Sequence, residues 1–532
     1  MAIQNGRYQA ASQPALAEGW TLERLTPPSP LFGANGLRTG PDGRIYVAQV
    51  SGSQISAIDP ASGAIEVISP LGGEIVGPDD LAFGPDGNIY ATEVLDGRVA
   101  VRSADGATHV LRGDLPAANG ITFHQGRLFV DECRMGGRLI ELGLDGGAPR
   151  VLLEDIPLPN ALEAGPDGKL YFPVMGANEI WRIDPAGGAA EKVAGDLGVP
   201  VALKFDPRGF IVSPQTGSGE VLRIDPRTGE RRRLAMLRPG LDNLCFVGDR
   251  LFVSHLTDGE ITEIHSDGIT SELLPGGMNG PLDLAIGDDG QLYVTDGNAF
   301  YVLPAGGGRQ RLGSLFAPGY PGNIRGLAPT GDGDFAVTTT NGQVALYQPW
   351  QGASEVIAES FDQLYGIAAL GNGVFAVAEF GTGRVLSITR GGSEVLAGGL
   401  DKPLGIAIDP NGKVLVSESG SGRVIRLDGM KTDVLVDDLR NPQGLAVHGH
   451  RLYIVDAGAQ ALIEHDLDSG ASRTIASALP VGAPAGVTPK PLRAMPPFSG
   501  PLGPFASITA GADGTLYLSA NAEGSVVAVR PS

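Results

Sequence analysis

The chain has 532 residues, a formal net charge of −21, 42% hydrophobic residues, 80 glycines and 40 prolines. This length predicts two or more cores, and the hydrophobic content argues against disorder. The acidity excludes nucleic acid and anionic membranes as expected partners, and two separated cysteines, Cys133 and Cys245, exclude a disulfide framework. Because the sequence shows no apolar signal core and no long apolar run, we expect a cytoplasmic protein.

One sequence unit recurs twelve times, about every forty residues. Each copy contains a short apolar strand, a turn of the Asp-Gly type, an alternating strand such as RIYVAQ, and two further short strands. One such four-stranded sheet cannot bury both of its faces, whereas sheets stacked around an axis can. The first two strands of the copies cover residues 35–49, 79–93, 119–132, 160–174, 201–215, 242–255, 282–296, 325–339, 365–379, 404–418, 443–456 and 506–520.

The repeat predicts an all-β protein with two six-bladed β-propellers, in residues 27–276 and 277–532. The last copy ends after its third strand, whereas the N-terminal segment 1–26 contains a lone strand, WTLERL, at 20–25. We therefore expect the N-terminal strand to close blade twelve. An insertion rich in Pro and Gly, residues 480–504, precedes the last blade, and a lid or an irregular surface loop both fit it.

The first residue of each innermost strand is expected to point to one mouth of its propeller. In the first propeller five of these six residues carry a short oxygen-bearing side chain, whereas the second propeller lacks such a set. Carboxylates and amide carbonyls suit Ca²⁺ or Mg²⁺, and Mn²⁺ or Zn²⁺ would also fit, so we predict a divalent metal site with Ca²⁺ favoured. The alternative is that such residues only form turns. The predicted ligands are Asn35, Asp79, Asn119, Asn160 and Asp242.

The last residue of each second strand returns to the same mouth. Glu93 and Glu132 are candidate catalytic acids there, although each precedes a Gly-Arg pair and an acid–arginine pair at the turn is the simpler interpretation. His255 has no such arginine after it, so it is a candidate to polarise a carbonyl or move a proton, or else a turn histidine.

The blades resemble the NHL and SMP-30/gluconolactonase group of six-bladed propellers, here in tandem, over almost the whole chain. The similar segments are PAANGI at Asn119, PLPNAL at Asn160, GPDDLAF at Asp79 and GLDNLCF at Asp242. The resemblance implies a divalent metal at the axis that polarises a lactone carbonyl and lowers the pKa of its water, with Asp242 or Asp79 as general base. The opening blade departs from the family, because Asn35 stands where the family has Glu.

Three functions are compatible with these features. The first is a metal-dependent hydrolase of a lactone or related cyclic ester. The second resembles the seven-bladed streptogramin B lyase, which opens a lactone by C–O elimination with Mg²⁺; here His255 with Glu93 or Glu132 would act. The third is a non-enzymatic binding propeller whose second mouth takes an anionic or sugar-like ligand at Arg325, Tyr365 and Gln443. The sequence leaves the oligomeric state open.

Overall fold

The computed structural model describes Arg7 and residues 13–331, 333–429 and 431–532. Within these residues the regular secondary structure is β-strand, apart from one short 3₁₀ turn at Met175–Ala177. The strands form twelve antiparallel sheets, eleven of four strands and one of five. No helix of the described part is long and apolar enough to cross a membrane. The chain divides into two compact units, each with six of these sheets, and the predicted β-propeller fold is confirmed.

Unit 1 consists mainly of Pro30–Gly277 and contains blades 1 to 6. In each blade the strands, A to D, run from the axis outward. Their bounds are Leu37–Thr39, Ile45–Gln49, Gln54–Ile58 and Ile65–Ser69 (blade 1); Pro78–Phe83, Ile89–Glu93, Arg98–Arg102 and Thr108–Arg112 (blade 2); Ala118–His124, Arg127–Glu132, Gly137–Leu142 and Arg150–Ile156 (blade 3); Glu163–Ala164, Leu170–Val174, Glu179–Ile183 and Glu191–Ala194 (blade 4); Lys204–Phe205, Ile211–Pro214, Glu220–Ile224 and Arg231–Met236 (blade 5); Leu241–Val247, Arg250–His255, Ile261–Ile264 and Thr270–Leu274 (blade 6).

Unit 2 consists of Arg7–Ser29, Met278–Thr488 and Phe498–Ser532 and contains blades 7 to 12. The strand bounds are Leu284–Ile286, Leu292–Thr295, Ala299–Leu303 and Gln310–Ser314 (blade 7); Ile324–Gly331, Asp334–Thr339, Val344–Gln348 and Ala353–Ala358 (blade 8); Leu364–Gly371, Val374–Glu379, Arg384–Thr389 and Gly392–Gly398 (blade 9); Pro403–Ile408, Val414–Glu418, Arg423–Asp428 and Lys431–Val436 (blade 10); Pro442–His448, Arg451–Asp456, Ala461–Asp466 and Ser472–Ser477 (blade 11); Ile508–Ala510, Leu516–Ala520 and Ser525–Pro531 (blade 12).

The N-terminal segment completes the outer edge of unit 2. Trp20–Arg24 pairs antiparallel with Ser525–Pro531 and becomes strand D of blade 12, as the sequence predicts. Ala15–Leu16 pairs with Ser472–Ser477 and adds a fifth strand to blade 11. The pairing covers an edge strand that would otherwise present unpaired backbone groups.

The A–B hairpin turn explains the recurring Asp-Gly and Tyr of the repeat. In blade 1, Gly43 has a φ of 78°, a left-handed conformation that glycine adopts without strain. The Asp42 carboxylate accepts a hydrogen bond from the Arg44 N–H at 3.1 Å and another from the Tyr46 hydroxyl at 3.1 Å. The same Asp–Tyr bond recurs at Asp86–Tyr90, Asp167–Tyr171 and Asp289–Tyr293.

Both rings are closed by the same hydrogen bond. The hydroxyl near the end of strand B donates to the carbonyl of the first residue of the next innermost strand. In unit 1 the last blade reaches the first, because Ser254 Oγ donates to the Asn35 carbonyl at 2.8 Å. In unit 2 Ser519 Oγ donates likewise to the Leu282 carbonyl at 2.7 Å. The hydrophobic core lies between adjacent blades, and one cluster joins Leu37 of blade 1 to residues of blade 6.

In six of the twelve blades the residue after the first position is a glycine, because neighbouring innermost strands pack closely there; the six are Gly36, Gly120, Gly326, Gly366, Gly405 and Gly444. A Cβ on Gly36 would lie 2.5 Å from the Asp79 carbonyl oxygen of the next blade, and one on Gly405 would lie 2.1 Å from that of Gln443. The glycine lets neighbouring strands approach each other near the axis. It thereby brings the first residues of the strands together.

Candidate metal and active site at the axis of unit 1

Four side chains from the first positions of the repeat copies of unit 1 lie together at one axial mouth, and they are Asn35, Asp79, Asn119 and Asp242. Asp242, from the last blade, hydrogen-bonds the Asn35 amide of the first blade, and Asp79 hydrogen-bonds Asn119 of the third. Asp79 and Asp242 also lie close enough for each charge to act on the other. Both carboxylates are partly exposed. The structure therefore brings together carboxylates from distant parts of the chain.

The two carboxylates share an environment that disfavours two negative charges. Burial, with the Asp242 charge next in importance, raises the pKa of Asp79 well above its ordinary value. Burial also raises the pKa of Asp242 to about 7, while the hydrogen bond from Asn35 acts in the opposite direction. In the absence of a cation the pair is stabilised by retaining a proton.

The amides around the mouth have different orientations. The Asn35 Oδ1 accepts a hydrogen bond from the Val50 N–H at 3.2 Å, which leaves its amide NH₂ to face Asp242. Asn35 is thus placed to hold Asp242 rather than to offer an oxygen to a metal. The Asn160 NH₂ contacts Met175 Sδ at 3.0 Å, which leaves the Asn160 Oδ1 available to coordinate a metal ion. Asn119 is buried beside Asp79.

An ionic cluster crosses the axis about 10 Å farther along the innermost strands. The Glu163 Oε2 accepts hydrogen bonds from Arg38 Nη1 at 3.1 Å and from Lys204 Nζ at 2.6 Å. Arg38 Nη2 lies 3.6 Å from Asp80 Oδ2 and also donates to the Ile121 carbonyl at 2.8 Å. Four blades are joined by this cluster, which we call the ionic plug (Arg38, Asp80, Glu163 and Lys204). Burial opposes ionisation of Glu163, but Lys204 and Arg38 hold its pKa below the usual value.

The charges around the axis leave an excess of carboxylates. The two cations of the plug face Asp80 and Glu163. Asp131 is fully buried, with one oxygen bonded by the Gly120 N–H at 2.9 Å and, among the described groups, no hydrogen bond to the other. Among the described residues, the main influences that raise the pKa of Asp79 and Asp131 are burial and neighbouring carboxylates, with no cation among them. A bound cation would compensate these charges.

The oxygen atoms at the mouth are of the kind that a hard divalent cation binds, but they include only two carboxylates. Carboxylate and amide oxygens, with water completing the shell, are what Ca²⁺ or Mg²⁺ requires. In the described part of the chain no three His, Cys, Asp or Glu side chains are grouped to hold a metal ion. The carboxylates at this mouth come as a pair, so the remaining ligands would be the Asn160 and Asn119 oxygens and water.

The predicted catalytic glutamates lie in structural ion pairs. Glu93 is bound by Arg98, and Glu132 by Arg138 and by Arg134 at 3.1 Å. Burial raises the pKa of Glu93 to about 7, with Arg98 acting in the opposite direction. Equivalent acids of unit 2 accept backbone N–H bonds from the loop that leads into strand A, at 2.9 Å for Glu379 and 2.8 Å for Glu418. In unit 1 the same position pins a loop through Gln49, whose Oε1 accepts the Phe32 N–H at 2.9 Å.

His255 lies in a different place from the carboxylate pair. Its ring is buried, and Nε2 lies 3.3 Å from the Thr262 hydroxyl and 3.9 Å from Glu260 Oε1. These residues line a cleft of about 440 Å³ that also includes Arg238 and outer-strand residues of blades 5 and 6. The structure thus assigns His255 to this cleft.

Sequence reasoning missed the ionic plug and Asp131. A usable signal was present in the repeat. Counted from the first position of each copy, such as Asn35 in blade 1, the fourth residue is charged in three blades of unit 1 and in none of unit 2. That position holds Arg38, Ala82, Thr122, Glu163, Lys204 and Cys245 in unit 1, and Ala285, Ala328, Ala368, Ala407, Ala446 and Thr509 in unit 2.

The corresponding mouth of unit 2 is covered by the chain itself. Arg325 is 1% exposed, stacks 4.1 Å from the centre of the Tyr365 ring, and donates to the carbonyls of Leu364 and Pro501. Phe505 packs edge-on against Tyr365 with ring centres 5.8 Å apart. The Gln443 Oε1 accepts a hydrogen bond from the Ala506 N–H at 2.7 Å. Arg325, Tyr365 and Gln443, which the sequence predicts to bind a ligand, are therefore occupied by contacts with residues 501–506 of the chain itself.

Part of the Pro- and Gly-rich insertion, residues 480–504, belongs to unit 1. Residues Pro489–Pro497 cluster with this unit. Lys490 pairs with Glu74 at 2.9 Å and Arg493 with Asp96 at 3.5 Å. A Cβ on Gly77, two residues before Asp79, would lie 3.2 Å from Leu492 Cδ2. This segment, which we call the rim segment, lies beside the carboxylate mouth.

Comparison with known proteins gives structural relatives only. No family model and no curated protein matches the chain. A streptogramin B lyase structure is 20% identical with a TM-score of 0.38, over 52% of this chain and 96% of its own. A virginiamycin B lyase from Staphylococcus aureus is 19% identical with a TM-score of 0.38, over 52% and 95%. The calcium-binding protein regucalcin from Agrobacterium tumefaciens is 21% identical with a TM-score of 0.36, over 45% and 86%. Likeness at this level does not extend to activity.

Proposed function

We propose that the mouth of unit 1 is the active site of a metal-dependent hydrolase that opens a lactone or related cyclic ester. The observation that carries the proposal is the Asp79–Asp242 pair, in which two partly exposed carboxylates meet without a compensating cation among the described residues. Paired carboxylates with raised pKa values are typical of catalytic and metal-binding sites. The regucalcin relative, described as calcium-binding, is compatible with this proposal.

Asp79 and Asp242, with the oxygens of Asn160 and Asn119, would hold a divalent cation, and Ca²⁺ is favoured because every donor is an oxygen. Such a cation polarises a carbonyl and lowers the pKa of water. Of the chain's own groups, Asp242 or Asp79 would accept the proton of the attacking water. The Asn35 amide would orient Asp242 for this step, and the ionic plug would limit water behind the site.

The proposal is tested by metal analysis and by product mass. Purified protein is expected to contain a divalent ion, and removal by a chelator should abolish opening of a simple γ- or δ-lactone until the ion is restored. Hydrolysis adds one water to the product, whereas elimination leaves the mass unchanged. A protein that binds no divalent ion would contradict the proposal, and an unchanged product mass would replace hydrolysis by the lyase alternative.

A further inference from the structure

The axis of unit 2 contains a cavity that has no counterpart in the proposed reaction. It has a volume of about 210 Å³, and residues from all six blades line it. At the level where the ionic plug closes unit 1, unit 2 has alanine in five blades, including Ala285 and Ala328. Because alanine side chains are short, this part of the axis stays open. The volume corresponds to about seven water molecules.

The cavity is closed at the mouth and open at the opposite face. Phe505, which is 1% exposed and packs on Tyr365 and Leu404, forms its inner end. Ala369 and Thr509, near the other ends of their strands, line it where the chain is exposed or half-exposed. A ligand would therefore enter from the face opposite the Phe505 end.

One carboxylate lies at the inner part of this cavity. Asp283 is 6% exposed and lines the cavity wall. Its oxygens accept hydrogen bonds from the N–H of Leu284 at 2.9 Å and of Leu327 at 2.8 Å, and Ser507 adds a side-chain bond. Burial raises its pKa to about 6 against these bonds, so the group is mainly ionised at neutral pH.

The charge of Asp283 lacks a counterion among the residues that the structure describes. Its environment consists of backbone N–H groups and one hydroxyl, with no cationic side chain. The equivalent carboxylate of unit 1, Asp80, faces Arg38 at 3.6 Å. A carboxylate has about four acceptor sites and Asp283 uses three of them, so it has capacity for a further donor. An ammonium group would supply both that donor and the missing charge.

We infer that the axial cavity of unit 2 binds a small alkylammonium ion, with its ammonium on Asp283 and its alkyl chain along the alanine-lined wall. Apolar walls with one placed polar group are typical of small-molecule sites. The cavity is small, so the expected ligand is a short, unbranched primary amine rather than a polyamine or a peptide.

The probe is n-butylammonium at pH 7.5, compared with butyrate and 1-butanol, in titration calorimetry with the full chain. We expect saturable binding of one n-butylammonium ion and no binding of butyrate. The Asp283→Asn variant should bind at least about tenfold more weakly, because it loses the charge-assisted bond. This variant is expected to fold, since Asn243 occupies the same position in blade 6 and its Oδ1 accepts the Leu244 N–H at 2.8 Å.

Two further variants make the outcome decisive. Asp289→Asn removes the same charge from a turn of the same blade and should leave binding unchanged, whereas Ala368→Leu should block the cavity and abolish binding. A cavity that holds only water, shown by no heat of binding, overturns the inference. Equal binding by Asp283→Asn also overturns it, as does binding that disappears only in Asp242→Asn, which would place the ion in unit 1.

Discussion

The innermost strands of both units begin with the same short pattern, but the side chains at its first and fourth positions differ. In unit 1 the first position is rich in Asn and Asp, and the fourth contributes Arg38, Glu163 and Lys204. In unit 2 the mouth is covered by Pro501 and Phe505, and the fourth position is alanine in five blades. One repeat thus yields a polar mouth above a charged plug in unit 1, and a covered mouth above an open cavity in unit 2.

The packing between blades is common to both units, whereas the side chains at the two axes differ. The blades pack through apolar side chains between neighbouring sheets in both units. Each variant below changes a position in one unit. Both cysteines are buried in unit 1, so thiol reactivity reports on that unit alone.

The largest effect is expected from Asp242→Asn or Asp79→Asn. Either change should weaken divalent-ion affinity at least about 100-fold and abolish lactone opening, because half of the carboxylate charge at the mouth is lost. Calorimetric titration with Ca²⁺ measures the affinity. Asp86→Asn, in a turn of the same blade as Asp79, is the matched control and should bind Ca²⁺ normally. Unchanged affinity in the Asp242 and Asp79 variants would rule out this site.

Arg38→Met should destabilise unit 1 by about 3–5 kcal/mol, because it removes the cation paired with Asp80 and one of the two paired with Glu163. Urea unfolding followed by thiol reactivity measures the effect. Arg44→Met, in a turn of the same blade, is the control and should change little. If both variants unfold at the same urea concentration, the plug does not stabilise the unit.

Phe505→Ala should destabilise unit 2 by about 3–4 kcal/mol, because it removes a buried ring that packs on Tyr365 and Leu404. Circular dichroism in urea should show the loss, while the thiol reactivity of unit 1 should keep its wild-type midpoint. Equal shifts by both probes would mean that the units unfold together.

Asp296→Asn should show a pH-dependent effect in unit 2. Burial raises the pKa of Asp296 to about 7, against hydrogen bonds from the Gly280 N–H at 2.6 Å and the Asn279 N–H at 2.7 Å. A folded-state pKa above the unfolded value means that this group's contribution to stability declines as the pH rises from about 4 to about 7.

The amide variant does not ionise, so its stability relative to wild type should improve by about 1 kcal/mol or more between pH 5 and pH 8. Urea unfolding at the two pH values measures the difference. Gln49, an amide at the same position in blade 1, whose Oε1 accepts the Phe32 N–H at 2.9 Å, shows that the fold accepts this side chain. A pH-independent difference would contradict the raised pKa.

The smallest effect is expected at the rim segment. The double change Lys490→Ala and Arg493→Ala removes two exposed ion pairs, so backbone hydrogen exchange of residues 489–497 should be about two- to fivefold faster. Mass spectrometry of that peptide measures the rate, with the peptide around Gly500, held by the Thr340 hydroxyl at 3.1 Å, as the internal reference. Equal acceleration of both peptides would mean that the whole insertion loosens.

Much of the fold could be predicted because each blade is specified locally. The Asp-Gly turn and the period-two strands of one blade lie within about forty residues, and the sequence presents this unit twelve times. The last repeat copy ends before a fourth strand, and the N-terminal strand Trp20–Arg24 supplies it, as could be predicted from the sequence. The ring of Asn and Asp could be predicted as a column of the repeat for the same reason.

The site itself was predicted less well because its roles depend on neighbours from other blades. Asn35 and Asn160 occupy the same column, yet only the contacts with Val50 and Met175 show which atom of each amide faces the mouth. Glu93 and Glu132 share a column with His255, but only the folded structure shows that each glutamate is paired with an arginine.

The sequence by itself determined the blade, the number of blades and the contrast between the two sets of first positions, because these features rest on local turns and on side-chain alternation. The tertiary structure alone decided which charges meet at each axis and where the insertion lies. The ionic plug joins Arg38 to Glu163, 125 residues apart, and Pro501 covers Arg325, 176 residues apart. Such pairings depend on the closure of each ring, which no local pattern contains.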